Sequence, residues 1–295
     1  MFNQLSSVMK AAIFYSIALG LILLLTLLGQ GLGEAVLALA MFTPLAAVLL
    51  MQLVITRDGT TRAGWQILGL HRLGLRTWGF AILAPFVVLF CTYAIAWGTG
   101  IGRLDQPALN GAFAVDGPLS ILRIVFLILL GVVVSTFRAL AEEIGWRGYM
   151  LPQLLPLGQT RALLLSGLLQ GIWHLPLILL TPFYHPDGNP LIVSVLFVLT
   201  ISVAGVFFGY LRLTSNSVWP AELAHGAFNS FWSTFTAFTI AVTSADVLEY
   251  WAGESGVITL VEVALLGAWL IYRLNRKPGA VQMTDKLVGQ PLAQK

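Results

Sequence analysis

Residues Leu163–Leu180, LLLSGLLQGIWHLPLILL, run unbroken through apolar side chains, interrupted only by Ser166, Gln170 and the ionisable His174. A barrel strand would alternate in and out every second residue, and this stretch does not. Its length approaches the roughly 20 residues that a helix needs to cross a bilayer. The rest of the chain agrees. Of 295 residues, 58% are hydrophobic and 10% charged, with a mean hydropathy of +0.86. A soluble domain would carry about 25% charged residues. No protein core of this size buries that much apolar surface, so the bilayer must act as solvent. The reading is an all-α fold, a polytopic membrane helix bundle.

Working outward from that stretch, candidate spans lie at 11–29, 33–56, 78–98, 119–142, 161–180, 190–211, 217–242 and 256–273, which makes eight. The first begins after Lys10 like a signal peptide, but it is too long for an h-region, and GQGLGEAVLA offers no small-residue cleavage site. It is read as a retained helix. Segment 57–77 is basic and amphipathic, with Trp65, Ile67, Leu68 and Leu70, and is expected to lie along the lipid headgroups. The chain divides into 1–118 with N-terminal helices, a core at 119–243, a final span at 244–273 and a polar tail at 274–295.

Lysine and arginine set the direction of insertion. With an internal N-terminus, Lys10, Arg57, Arg62, Arg72, Arg76, Arg161, Arg212, Arg273, Arg276, Lys277, Lys286 and Lys295 fall inside, and Arg103 and Arg123 outside. Both termini are expected in the cytoplasm, in a cell inner (cytoplasmic) membrane. The pI near 9.2 reflects these flanks, so nucleic acid is not expected as a partner. The single Cys91 lies in an apolar span, which excludes an internal disulfide.

Against this background, three stretches carry misplaced polarity: STFRALAEEIGWRGYM (135–150), LLQGIWHLPLILL (168–180) and VWPAELAHGAFNSFW (218–232). Ionisable groups at membrane depth are expensive and mark function by default. Glu143 and Arg147 stand four apart on one helix face and can neutralise each other. Glu142 points about 100° away and is left for another partner. Gly145 and Gly148 permit close approach. His174 precedes Leu175-Pro176, and that proline frees a backbone carbonyl near position 172. Gln170, one turn before, can orient its ring or donate to a carbonyl. Glu222, His225 and Asn229 share a stripe on the seventh span. Asn229 cannot be a base, but its amide suits a developing oxyanion. Glu222 either orients His225 or is an ordinary helix-start acid, the second being favoured.

Other chemistries find less support. No H-E-x-x-H occurs, and Glu222-x-x-His225 is only half of a di-iron pattern. Ser166 and Ser230 are read as packing. A membrane scaffold or immunity protein that binds a peptide in the same cavity is the non-enzymatic alternative; a transporter is less supported because no repeat is visible.

E-E-x-x-x-R at 142–147, then His174, then H-x-x-x-N at 225–229, resembles the CAAX-protease and bacteriocin-processing (CPBP) family of intramembrane proteases, which are type II CAAX prenyl endopeptidase-like or lysostaphin-resistance-protein-like. The likeness spans about 119–235 and includes GYLRLTSNSVWPAELAHGAFN. Gln170 departs from it, since the family's second motif usually carries an aromatic residue there. The resemblance implies an endopeptidase that hydrolyses a peptide bond; its cavity is expected to open to the cytoplasm because Glu142 lies near the inner end of its span. In that scheme Glu142 and His174 activate water, and His225 and Asn229 stabilise the oxyanion. The substrate would be a peptide or protein, membrane-anchored or not. A metal-free reaction is favoured; the alternative is zinc held by Glu142, His174 and His225, with an open position.

Overall fold

The protein, seen as a computed structural model that describes residues 5–113 and 119–276, is a helical bundle with almost no sheet. Residues 277–295, most of the expected polar tail, lie outside the described part. Seven helical elements are long and apolar enough to cross a membrane: α1 (Ser7–Leu28), α2 (Ala35–Ile55), α3 (Leu75–Thr99), α4 (Ile121–Leu157), α5 (Gln159–Leu180), α6 (Pro190–Ser215) and α8 (Ala245–Asn275). The eighth expected span is α7 (Trp219–Ala237). Glu222, His225, Asn229, Ser230 and several threonines lower its hydropathy, and it is enclosed by α3, α4 and α6 rather than presented to lipid. Apolar side chains on the outside of α4, including Leu122, Phe126 and Phe137, are exposed where lipid would meet them.

Local chemistry places the breaks. Ser6 Oγ accepts the Met9 amide at 3.3 Å and starts α1. Asn189 Oδ1 accepts from the amides of Leu191 and Ile192, and Pro190 occupies the first turn of α6. α5 changes direction at His174, where the helix Gln159–Trp173 hands over to Leu175–Leu180 and Pro176 cannot supply a backbone donor. α4 does not end after Glu143. It widens into a π-helical stretch, Ile144–Met150, and runs on to Leu157. Such π segments collect at functional sites.

Two glycine contacts set the spacing of the core. Gly205 of α6 lies against Gly167 of α5, and Gly226 of α7 against Thr136 of α4; a Cβ at either glycine would collide with backbone. These contacts hold α5, α6 and α7 at the distance at which buried polar groups of α4 can reach them.

The bundle has two distinct ends. At one, Lys10 pairs with Asp58 at 2.8 Å and segment 57–77 is docked. That segment is not a single helix. It comprises a turn at Asp58–Thr60, a short helix Arg62–Gln66 and a turn at Leu75–Thr77. The Ile67 carbonyl accepts from Arg212 Nη2 at 2.7 Å and the Leu70 carbonyl from Trp219 Nε1 at 3.0 Å, while Leu68 is buried. The donors at the ends of α6 and α7 need acceptors, and these carbonyls meet that need. At the other end, strands β1 (Gly102–Leu104) and β2 (Thr239–Ala241) pair antiparallel, with Gly102 opposite Ala241. There too the Asn189 amide donates to Tyr250 Oη at 2.6 Å.

Candidate active site

A cavity of about 300 Å³ is lined by Glu142, Gln170, His174, His225 and Asn229, which come from α4, α5 and α7. The five polar positions from three separate stretches therefore meet in one place. The remaining wall includes Met41, Ser135, Arg138, Tyr184, Phe197, Phe208, Trp232 and Glu254. These residues sit in the half of the bundle nearer loops 181–189 and 253–256. The cavity thus lies in the half of the bundle away from the end that carries segment 57–77. An opening beside that end was expected because α4 was read as stopping near 142, and α4 instead continues for a further fourteen residues after Glu143.

Glu143 is committed to structure. Its Oε1 accepts from Arg147 Nη1 at 2.8 Å and lies 3.0 Å from His225 Nδ1, and both Glu143 and Arg147 are fully buried. Arg147 also donates to Gln170 Oε1 at 2.6 Å and lies 5.0 Å over the Phe208 ring. Phe208 in turn stacks on His225 with ring centroids 5.5 Å apart. The pairing expected between Glu143 and Arg147 is present, and it extends to a third helix.

Glu142 has a different environment. Trp146 Nε1 and Gln170 Nε2 both donate to its Oε2, at 3.4 and 3.3 Å. No hydrogen bond among the described residues reaches Oε1. Trp146, expected only as a neighbour, is therefore a partner. It is fully buried, packed against Phe14 and against Trp173 at 5.7 and 5.6 Å. Gln170 serves as the bridge between the two acids: its oxygen takes Arg147 and its amide nitrogen gives to Glu142. The backbone carbonyl of Gln170 lies 2.9 Å from His174 Nδ1. A carbonyl can only accept, so Nδ1 carries the hydrogen, and a neutral His174 keeps its lone pair on Nε2. Trp173, Phe197 and Tyr184 surround that ring.

Glu222 does not line the cavity and makes no hydrogen bond to His225; both of its oxygens are buried without a partner among the described residues. His225 is oriented by Glu143 instead. Among the described residues, no three His, Cys, Asp or Glu side chains are grouped to hold a metal ion. His225 turns Nδ1 to Glu143 and His174 turns Nδ1 to a carbonyl, which leaves Nε2 of each ring without a hydrogen bond among the described residues.

Sequence reasoning passed over a second polar cluster at the cavity's rim. His185 Nδ1 lies 2.5 Å from Glu249 Oε1, and its Nε2 lies 3.4 Å from Glu254 Oε2, to which Tyr184 Oη also donates at 3.2 Å. Burial alone would lower the His185 pKa, but its hydrogen bonds to the two carboxylates outweigh that and raise it to about 9. His185 also holds a left-handed φ of 55°, costly for a residue with a Cβ. The turn TPFYHPDGNP (181–190) carried the signal, a histidine among prolines, but its acids come from sixty residues away. Arg138 was likewise missed, although it stands one turn before Glu142.

Residues 124–231 match the family model described as Rce1-like, type II CAAX prenyl endopeptidase Rce1-like. No curated protein sequence matches the chain.

Proposed function

We propose, for a chain whose residues 124–231 match the type II CAAX prenyl endopeptidase Rce1-like family model, that the cavity hydrolyses a peptide bond within the membrane. One observation carries the reading: Glu142 lines the cavity with one oxygen unengaged, while its neighbour Glu143 is fully buried away from it and bound to Arg147 and His225.

The division of labour follows from hydrogen-bond capacity. A water held between Glu142 Oε1 and His174 Nε2 meets two acceptors. It can lose a proton to Glu142 as its oxygen attacks the scissile carbonyl carbon. The carbonyl π electrons move to oxygen, and the resulting oxyanion is met by Asn229 Nδ2–H and His225 Nε2–H. Donation from Nε2 requires an imidazolium when Nδ1–H is given to Glu143, and the Glu143 carboxylate supplies its counter-charge. Collapse of the tetrahedral species breaks the C–N bond, and Glu142 returns its proton to the departing amine. No metal is needed for this sequence.

The lining residues favour entry of the substrate from the end bearing loops 181–189 and 253–256. If the basic end is cytoplasmic, that entry lies on the other face of the membrane, in place of the cytoplasmic opening expected from the position of Glu142 near the end of its span. The test is comparative membrane proteomics of cells with wild type or Glu142→Gln. Peptides cut only by the wild type support hydrolysis; identical peptide profiles with equal protein levels refute it.

A further inference from the structure

Arg138 is exposed on α4, whereas Glu142, Glu143 and Arg147 on the same element are buried. At a rise of 1.5 Å per residue it lies about 22 Å along α4 from Arg123 and about 28 Å from the Leu157 end. Both ends of α4 are beyond the reach of its side chain. A guanidinium along an apolar span is costly unless it meets an anion. Among the described residues it has no ion pair and no hydrogen bond from its guanidinium. Of the two acids of the cavity, Glu254 is committed to His185 and Tyr184, and Glu142, four residues on from Arg138 with Oε1 unengaged, makes no ion pair with it. Arg138 and Ser135 also line a second groove of about 490 Å³ between α4 and α7, so the guanidinium stands where that groove meets the cavity.

We infer that Arg138 is a specificity-determining residue that receives a carboxylate of the peptide substrate. The inference rests on the hydrolase reading of the cavity. Arginine's planar fork binds a carboxylate through two parallel hydrogen bonds. Residues four apart on a helix are about 6 Å apart, and an extended peptide advances about 3.3 Å per residue. The carboxylate therefore sits one to three residues from the scissile bond. It is either an Asp or Glu side chain or the terminal carboxylate of the chain.

The full-length protein in phosphatidylcholine vesicles is given apolar peptides with Glu or Gln at successive positions, each ending as free acid or as amide. A charge-assisted hydrogen bond is worth about 10- to 100-fold, so the kcat/KM ratio of acidic over neutral peptide should be of that size. Arg138→Gln should bring the ratio near one, Arg138→Lys should keep part of it, and Arg138→Glu should invert it toward Lys-bearing peptides. A preference that follows amidation identifies the terminal carboxylate; one that follows Glu against Gln identifies a side chain. An equal ratio in wild type and Arg138→Gln overturns the inference. Should wild type cut none of these peptides, their Kd values for Glu142→Gln and Glu142→Gln/Arg138→Gln decide. A tenfold acid preference abolished in the double variant upholds recognition while the hydrolase reading fails, and no preference overturns both.

Discussion

Replacing Glu143 with glutamine removes one charge and almost no volume, so its cost reports on the ion network rather than on packing. The Glu143 Oε1 atom serves Arg147 at 2.8 Å and His225 at 3.0 Å, with Arg147 fully buried. In Glu143→Gln the guanidinium keeps only neutral partners, the amide oxygens of Gln170 and of the new glutamine and the Phe208 face. Leaving a buried charge without its partner costs about 3–5 kcal/mol. Against a typical stability of about 5–15 kcal/mol, that is about a fifth or more of what holds the protein folded. The assay is reversible unfolding of purified protein, together with membrane-inserted yield. Arg147→Met alone should also destabilise, because it strands Glu143. The double variant should recover part of the loss, with a coupling of about 1–3 kcal/mol. Additive losses, or a Glu143→Gln protein as stable as wild type, would refute the argument that this pair neutralises itself in the core.

Glu142→Gln should accumulate in the membrane with normal stability yet lose turnover; wild-type activity in that variant would remove the proposed base. Asn229→Ala should lower kcat by about 10²–10³ with little change in KM, and Asn229→Asp should be worse; lost folded protein at normal specific activity would mean that Asn229 only packs. His185 has a folded pKa of about 9 against an unfolded value of 6.5. Its contribution, about 3 kcal/mol, is present below pH 6.5 and lost as pH rises through 9. Unfolding midpoints should fall over that window in wild type and stay flatter in His185→Gln. Reporter fusions at Asp58 should report cytoplasm and those at Gln106 and Glu249 the opposite face. In a Cys91→Ser background, Ser233→Cys should react with an impermeant thiol reagent from the Gln106 face; labelling from the Asp58 face would overturn the proposed entry side.

Much of this was legible in the chain because membrane burial makes polarity conspicuous. Glu142, His174, His225 and Asn229 stand out from apolar runs, and they meet in one cavity. Helical periodicity alone separated Glu143 from Glu142, and the 2.8 Å pair agrees. What stayed hidden was of two kinds. Backbone demand was one: segment 57–77 is folded by donors on α6 and α7 that seek its carbonyls, and an amphipathic pattern records only side chains. Tertiary distance was the other. His185 reads as a loop residue until Glu249 and Glu254 arrive from α8, and a Glu222–His225 pair stood as the less favoured option only because the two are three residues apart.

Gln170 shows how a departure from the family pattern can still suit the site. An aromatic side chain at that position could pack beside His174 but could not address two charges of opposite sign. The amide does so in one orientation only. Its oxygen must face the Arg147 guanidinium, which can only donate, and its NH₂ must face the Glu142 carboxylate, which can only accept. A flipped amide would set donor against donor and acceptor against acceptor. Arg147 therefore fixes the rotamer, and the fixed rotamer draws Glu142 through Oε2, which turns Oε1 toward the cavity. His174, one helical turn on, is aimed by the backbone carbonyl of the same residue. The proposed base and its histidine are thus positioned from a single point on α5, so a shift of that helix would move both together and preserve the gap in which the water must sit.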